Sequence, residues 1–267
     1  MILKTKQFVE NEFNLLKNKE KPDGYFHIFL FGDNEASKVY VRNKMADAEK
    51  VGIKTYLHKL NKNTPRELAE LRIKSAINDK PLGIMIQFPL PEHLRGIEQL
   101  VPAHLDVDGL AYNSDFYPCT PSGIIYYLEK GLNKKLEGKN ICIVGRSELV
   151  GRPLANMLTD KNATVTLCHS KTYNLKEHTT RANIVICAIG KPMYFDESYF
   201  SDGTLVIDVG INFDENGKMC GDVDSKLIDE SNYLRKIPVD VTAVPGGVGL
   251  LTRLSLMRHC FGLDKRR

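Results

Sequence analysis

At 267 residues the chain has room for one large or two modest domains, each with a core of its own. Its 42% hydrophobic and 26% charged residues are ordinary for a globular chain, and a net charge of +4 spread along the sequence singles out no nucleic-acid or membrane partner. No apolar run is long enough to span a bilayer, and the opening Met1-Ile2-Leu3-Lys4-Thr5-Lys6 lacks the apolar core of a signal peptide.

An amphipathic start (Phe8, Phe13, Leu15, Leu16) precedes Tyr25-Phe26-His27-Ile28-Phe29-Leu30-Phe31, an apolar strand closed by Gly32. Residues from about 34 to 50 read as a helix, with Asp33 or Asn34 as its cap and Gly52 ending it. Strands are predicted at 53–60 and 83–88, on either side of a charged helical stretch from about 64 to 79. Strands separated by helices predict a parallel sheet of βαβ units. Residues 101–123 break this rhythm with Pro102, Asp106, Asp108, Gly109, Pro118 and Pro121, and the domain junction is placed there. Thr120-Pro121 then reads as an N-cap and a first-turn proline, opening a helix to about Lys130.

The second half is more regular, with apolar, β-branched strands at 140–145, 164–168, 184–189 and 204–209 and a helix over 149–160. The segment 249–263 reads as a last helix, expected to return to the first domain. The expected fold is therefore α/β: two α/β domains, the second a Rossmann-like parallel sheet that binds a dinucleotide, with a substrate cleft between them. Residues 1–119, completed by 249–267, make the first domain, and 120–248 the second. Six cysteines include no C-x-x-C pair, and Cys142, Cys168 and Cys187 sit inside apolar strands. That usage points to a reducing cytoplasm and argues against a disulfide framework or a metal site. The basic tail Lys265-Arg266-Arg267 reads as a frayed terminus rather than a nucleic-acid contact.

The turn after the strand at 140 carries the first chemical signal. Gly145-Arg146-Ser147-Glu148-Leu149-Val150-Gly151 joins that strand to a helix, which sets backbone N–H groups and a positive helix end beside a phosphate. The spacing is not G-x-G-x-x-G, so the turn alone is only moderately specific. Gly190 and Gly210 recur at the ends of the third and fourth strands, where open α/β sheets hold their ligands. At the end of the second strand, where an NAD site presents an acidic residue to the ribose, stand His169, Ser170 and Lys171. With Arg146 these suit a 2′-phosphate, so NADP is the expected cofactor. The plainer reading of Arg146 is a cap on a neighbouring carbonyl.

In the first half, Tyr40 and Lys44 lie four residues apart on one helix face. On an ordinary surface helix they form a solvated pair. Gln87 at a strand end and Asp106 and Asp108 in the junction loop add an amide and carboxylates at element ends, where ligands commonly bind. At this point the chain resembles a known family. Ser37-Lys38-Val39-Tyr40-Val41-Arg42-Asn43-Lys44, Gln87-Phe88-Pro89-Leu90-Pro91 and Asp106-Val107-Asp108-Gly109 are similar to signatures of the methylenetetrahydrofolate dehydrogenase/methenyltetrahydrofolate cyclohydrolases. So are Pro118-Cys119-Thr120-Pro121, Gly145-Arg146-Ser147 with Val150-Gly151, Asp208-Val209-Gly210-Ile211-Asn212, and Val244-Pro245-Gly246-Gly247-Val248-Gly249. The matches are collinear and cover nearly the whole chain.

The resemblance implies a bifunctional enzyme of one-carbon metabolism. It oxidises 5,10-methylenetetrahydrofolate with NADP and hydrolyses the methenyl product to 10-formyltetrahydrofolate. It implies that Lys44 is the catalytic lysine of the hydrolysis, Gln87 its hydrogen-bond partner, Tyr40 a ring packed on the folate and Asp108 the anchor of the pterin. Pro245, Gly246 and Gly247 would approach the substrate. Gly145, Arg146, Ser147, Val150, Gly151, His169, Ser170, Lys171, Gly190, Gly210 and Ile211 would line the cofactor site. A homodimer paired through the nucleotide domain is also implied. The chain departs from the pattern at Leu105, where the family has lysine, at Ala243 for proline, at Leu250-Leu251 for Pro-Met, and in a short connection from Gly109 to Pro118. Two other readings stay open: a monofunctional dehydrogenase with weak or lost hydrolysis, and a dinucleotide-binding regulatory protein without turnover. A shikimate-type dehydrogenase leaves Tyr40, Lys44 and Gln87 unexplained.

Overall fold

The computed structural model describes residues 1–224 and 239–266. Residues 225–238 of the expected second domain, and Arg267 of the basic tail, lie outside the described residues. The chain opens with β1 (Ile2–Leu3) and α1 (Lys6–Lys17), then alternates through β2 (Tyr25–Phe31), α2 (Glu35–Lys50), β3 (Lys54–Leu60), α3 (Arg66–Ile77) and β4 (Pro81–Ile86). Short 3-10 turns carry the chain from Glu92 to Leu105. The next elements are α4 (Cys119–Tyr126), β5 (Asn140–Val144), α5 (Gly151–Asp160), β6 (Thr164–Cys168), α6 (Leu175–Thr180), β7 (Ile184–Cys187) and β8 (Leu205–Asp208). A small antiparallel ribbon pairs β9 (Asn212–Phe213) with β10 (Met219–Cys220), and β11 (Asp240–Thr242) leads to a C-terminal helix (Val248–Cys260).

The chain divides into two compact units. One comprises Met1–Val9 and Thr120–Thr252, the other Glu10–Cys119 and Arg253–Arg267. This division differs from the sequence reading at both ends. Met1–Val9 group with the second half because β1 pairs in parallel with β11, Ile2 opposite Val241 and Leu3 opposite Thr242. A two-residue strand is too short to leave a periodic signal. The C-terminal helix changes unit at Arg253, so only its later turns return to the unit built from Glu10–Cys119.

The unit built on Glu10–Cys119 holds a parallel sheet in the order β3-β2-β4. β2 is buried along nearly its whole length, as an apolar central strand should be. Phe29, Ile84 and Ile86 on one sheet face pack with Ala69, Ile73 and Ala76 of α3. Leu105, where the family pattern has lysine, is buried in that same cluster, so the departure is absorbed by the core.

The other unit holds six parallel strands in the order β1-β11-β8-β7-β5-β6. From β5 the chain crosses first to β6 on one side and then to β7 on the other. The carboxyl end of β5 is therefore the topological switch point, where doubly wound sheets bind ligands. Ala243, at the position of the family's proline, donates its N–H to Leu3 O at 3.0 Å, a bond proline cannot make. Thr120 lies inside α4 rather than capping it, and its hydroxyl meets that of Thr252 at 3.0 Å. Leu251 packs so closely on α4 that a Cβ on Gly123 would stand 2.5 Å from its carbonyl oxygen.

Candidate active site

α2 starts where it does because Asn34 caps it. The Asn34 side chain accepts a hydrogen bond from Ser37 N at 3.0 Å. The helix then sets Tyr40 and Lys44 one turn apart on one face. Tyr40 is 39% exposed, whereas Lys44 is only 8% exposed. β4 ends at Ile86, two residues short of the sequence reading, and Gln87 N extends the pairing by donating to Phe29 O at 2.9 Å. The Phe88-Pro89 peptide is cis, and Gln87 Nε2 donates to Phe88 O at 2.8 Å, which leaves Oε1 to face the lysine. Lys44 Nζ lies 3.3 Å from Gln87 Oε1, 3.9 Å from Asp108 Oδ2 and 3.0 Å from the sulfur of Met85. The structure therefore brings together Lys44, Gln87 and Asp108, and adds Met85.

Asp106 and Asp108, two residues apart, do different work. Asp106 is buried and accepts hydrogen bonds from Gly109 N at 3.2 Å and Ala111 N at 2.7 Å. Burial pushes its carboxyl above the ordinary range against the pull of those donors. It shapes the loop, while Asp108 is left to face Lys44. Gly109 has φ +72°, and a Cβ there would stand 2.3 Å from Tyr117 O. Between the two aspartates, Val107 O accepts from His259 Nδ1 at 2.8 Å and from Cys119 Sγ at 3.4 Å. Burial holds His259 below the usual imidazole range and pushes the Cys119 thiol up, so both act as neutral donors. The loop that carries Asp108 is thus fixed from two directions.

The phosphate-type turn is built from close backbone approach. A Cβ on Gly145 (φ +123°) would stand 2.0 Å from Ala188 O, and one on Gly151 would stand 1.8 Å from Gly145 O. Ser147 Oγ accepts from Val150 N at 3.2 Å, which ties the turn before α5 begins. Arg146 is exposed, and its side chain makes no hydrogen bond or ion pair among the described residues. It therefore does not cap a carbonyl there. At the end of β6, His169 N donates to Thr172 Oγ1 at 2.8 Å and Lys171 N to His169 Nδ1 at 3.1 Å. This folded turn leaves Ser170 and Lys171 exposed.

Gly190 (φ +64°) is fixed by a residue the sequence reading missed, whereas Ile211 is exposed. Asp222 is fully buried and its carboxylate accepts from Ile189, Gly190 and Lys191 N–H at 2.6, 3.1 and 2.9 Å, and from Asn212 Nδ2 at 2.9 Å. Asp208, at the end of β8, accepts in turn from Gly210, Asp222 and Val223 N–H. Burial lifts the Asp208 carboxyl to about 6 despite these donors, with the neighbouring Asp222 charge adding to the rise. In the Pro245-Gly246-Gly247 turn, Thr5 N donates to Gly246 O at 3.1 Å and Thr5 Oγ1 to Gly247 O at 2.9 Å. Among the described residues no three His, Cys, Asp or Glu side chains are placed to hold a metal ion. All six cysteines are free, and no described helix is long and apolar enough to cross a membrane.

The comparisons agree across both units. The tetrahydrofolate dehydrogenase/cyclohydrolase catalytic-domain profile matches residues 2–108, and the NAD(P)-binding-domain profile of the same family matches residues 118–267. The chain is 38% identical to the Bifunctional protein FolD of Agathobacter rectalis, covering 98% of this chain and 95% of that one. It is 40% identical to the Streptococcus thermophilus protein of the same name, over 92% of this chain and 88% of that one. The crystal structure of the Campylobacter jejuni bifunctional FolD methylenetetrahydrofolate dehydrogenase/cyclohydrolase superimposes with a TM-score of 0.84 at 35% identity. That match covers 96% of this chain and 93% of the other. Motifs, strand order, buried lysine and comparisons thus converge: the chain belongs to the tetrahydrofolate dehydrogenase/cyclohydrolase family.

Proposed function

We propose that the chain oxidises 5,10-methylenetetrahydrofolate to the 5,10-methenyl form with NADP and hydrolyses that product to 10-formyltetrahydrofolate. The observation that carries this reading is the amine of Lys44, nearly enclosed and set 3.3 Å from Gln87 Oε1 and 3.9 Å from Asp108 Oδ2. Lys44 is the proton-handling group of the hydrolysis and Gln87 orients it without adding a charge. Tyr40, exposed one turn earlier, offers its ring to the folate, and Asp108 accepts paired hydrogen bonds from the amino-pyrimidine edge of the pterin. Pro245, Gly246 and Gly247 let backbone approach the substrate. We assign the folate surface mainly to the unit built on Glu10–Cys119 and the dinucleotide to the unit built on Thr120–Thr252.

NADP fits the residues present. The glycine cradle at Gly145 and Gly151, where a Cβ would collide with backbone, admits a pyrophosphate beside the start of α5. Ser147, Val150, Gly190, Gly210 and Ile211 complete its walls. Exposed Arg146, with Ser170 and Lys171, supplies the charge and donors a 2′-phosphate needs, and His169 holds their turn in shape. When bound, this cofactor accepts hydride from the methylene carbon; the protein's part is alignment, with no acid or base required. The six free thiols support a cytoplasmic setting. The exposed edge strand β6, with Leu167 36% exposed, supports pairing of two copies through this unit.

A spectrophotometric assay on the purified protein tests the proposal. NADP reduction on adding methylenetetrahydrofolate, faster than with NAD, and decay of the methenyl absorbance are the expected results. No reduction with either cofactor would overturn it. Persistence of wild-type hydrolysis in Lys44→Met would remove the lysine's role.

A further inference from the structure

We infer that Met85 is a positioning residue for the hydrolysis: its thioether sulfur holds the Lys44 amine in its working direction. The inference rests on the reading of Lys44 as the proton-handling group. A lysine reaches its site on a flexible four-carbon stem, so the place of its amine is set by what surrounds it. The amine of Lys44 has three acceptors at hand, and the nearest is sulfur: Met85 Sδ at 3.0 Å, Gln87 Oε1 at 3.3 Å and Asp108 Oδ2 at 3.9 Å. Met85 is also the most enclosed of the three, with no exposed surface.

The strand explains why the sulfur is there. Alternate residues of a strand share a face. Ile84 and Ile86 pack with α3, so Met85 and Gln87 point the other way, towards α2 and Lys44. One strand end therefore supplies two neutral acceptors to one amine. A thioether is a weak, polarizable acceptor that directs an N–H without bringing a formal charge. Asp108, beyond hydrogen-bond distance of the amine, stays available to the substrate. The amine is held by groups that do not themselves take part in proton transfer.

Met85→Leu separates this role from packing, because leucine fills nearly the same volume and such exchanges are among the best-tolerated core changes. The expected result is a kcat for methenyl-folate hydrolysis lowered about tenfold or more, the cost of a loosened catalytic group. KM for methenyl-folate and the dehydrogenase kcat stay at wild-type values. Unchanged hydrolysis, or an equal fall in both activities, overturns the inference. Lys44→Met run alongside distinguishes the two readings. If it leaves hydrolysis intact, the lysine's role and the Met85 role both fall; if it abolishes hydrolysis while Met85→Leu is silent, only the Met85 role falls. A spectroscopic readout stands apart from turnover. With methionine methyl groups labelled with carbon-13, one of the seven resonances, assigned to Met85 by its loss in Met85→Leu, is expected to shift in Lys44→Gln. A resonance that does not move overturns the contact.

Discussion

Acidification is expected to stabilise the wild-type chain relative to an Asp208→Asn variant. Asp208 is 3% exposed, and its oxygens accept from Gly210 and Val223 N–H at 2.9 Å and from Asp222 N–H at 3.0 Å. Burial outweighs those bonds and lifts the carboxyl from 3.8 to about 6 in the fold. Between those values the native chain binds the proton and the unfolded chain has released it. The group's contribution is therefore fully present at low pH and lost as pH rises through the interval. Each unit of pH is worth about 1.4 kcal/mol, and an interval of roughly two corresponds to about 3 kcal/mol. Asparagine cannot titrate, so it removes this dependence while also mispairing one backbone donor at every pH. Urea unfolding of both proteins from about pH 4 to about pH 7 isolates the difference. The wild type is expected to gain about 3 kcal/mol on the variant as pH falls across that range. A stability difference that is flat with pH, or that moves the opposite way, refutes the reasoning.

Gly151→Ala places a Cβ 1.8 Å from Gly145 O, so the turn must shift. A loss of about 1–3 kcal/mol in stability and a weaker dinucleotide affinity are expected, read by unfolding and by cofactor titration. Arg253→Met leaves the Asp47 carboxylate, 1% exposed and paired with Arg253 at 2.5 and 2.7 Å, with only the exposed Lys50 nearby among the described residues. The expected loss is about 3 kcal/mol, seen in calorimetry as a lowered Tm. Arg146→Ala is expected to weaken NADP binding about tenfold or more, the worth of a charge-assisted pair, with little change for NAD. Equal losses for both cofactors would remove the 2′-phosphate role.

Much of the fold was legible because its long elements follow simple patterns. β2, α2 and β5 are long or apolar enough to show their period, and Asn34 was one of two caps named for α2. Short pieces were not legible. β1, β9, β10 and β11 have two or three residues each, and only their partners across the sheet make them strands. Thr120 carried a capping signal, but the helix starts at Cys119 and the hydroxyl pairs with Thr252 instead. At the site, Lys44 stood out by its spacing from Tyr40 on one helix face, and Gln87 and Asp108 as polar groups at element ends. Met85 did not, because a methionine inside an apolar strand looks like core until a lysine is found against it. Asp222 was also hidden. An aspartate in a loop says nothing of the four donors it collects, and only the glycines it serves were visible.

The pairing of β1 with β11 bears on the order in which the molecule can be completed. Ile2 and Leu3 leave the ribosome long before their partners Val241 and Thr242. The unit of Glu10–Cys119 waits as well, since Asp47 and Val107 are bonded by Arg253 and His259. Contacts of such long sequence separation form slowly, since the loop they close must be ordered first. A nascent chain stalled before β11 would expose the β11-facing edge of β8, an open strand edge of the kind that aggregates. In this protein the residues from Asp240 onward are those that close both units.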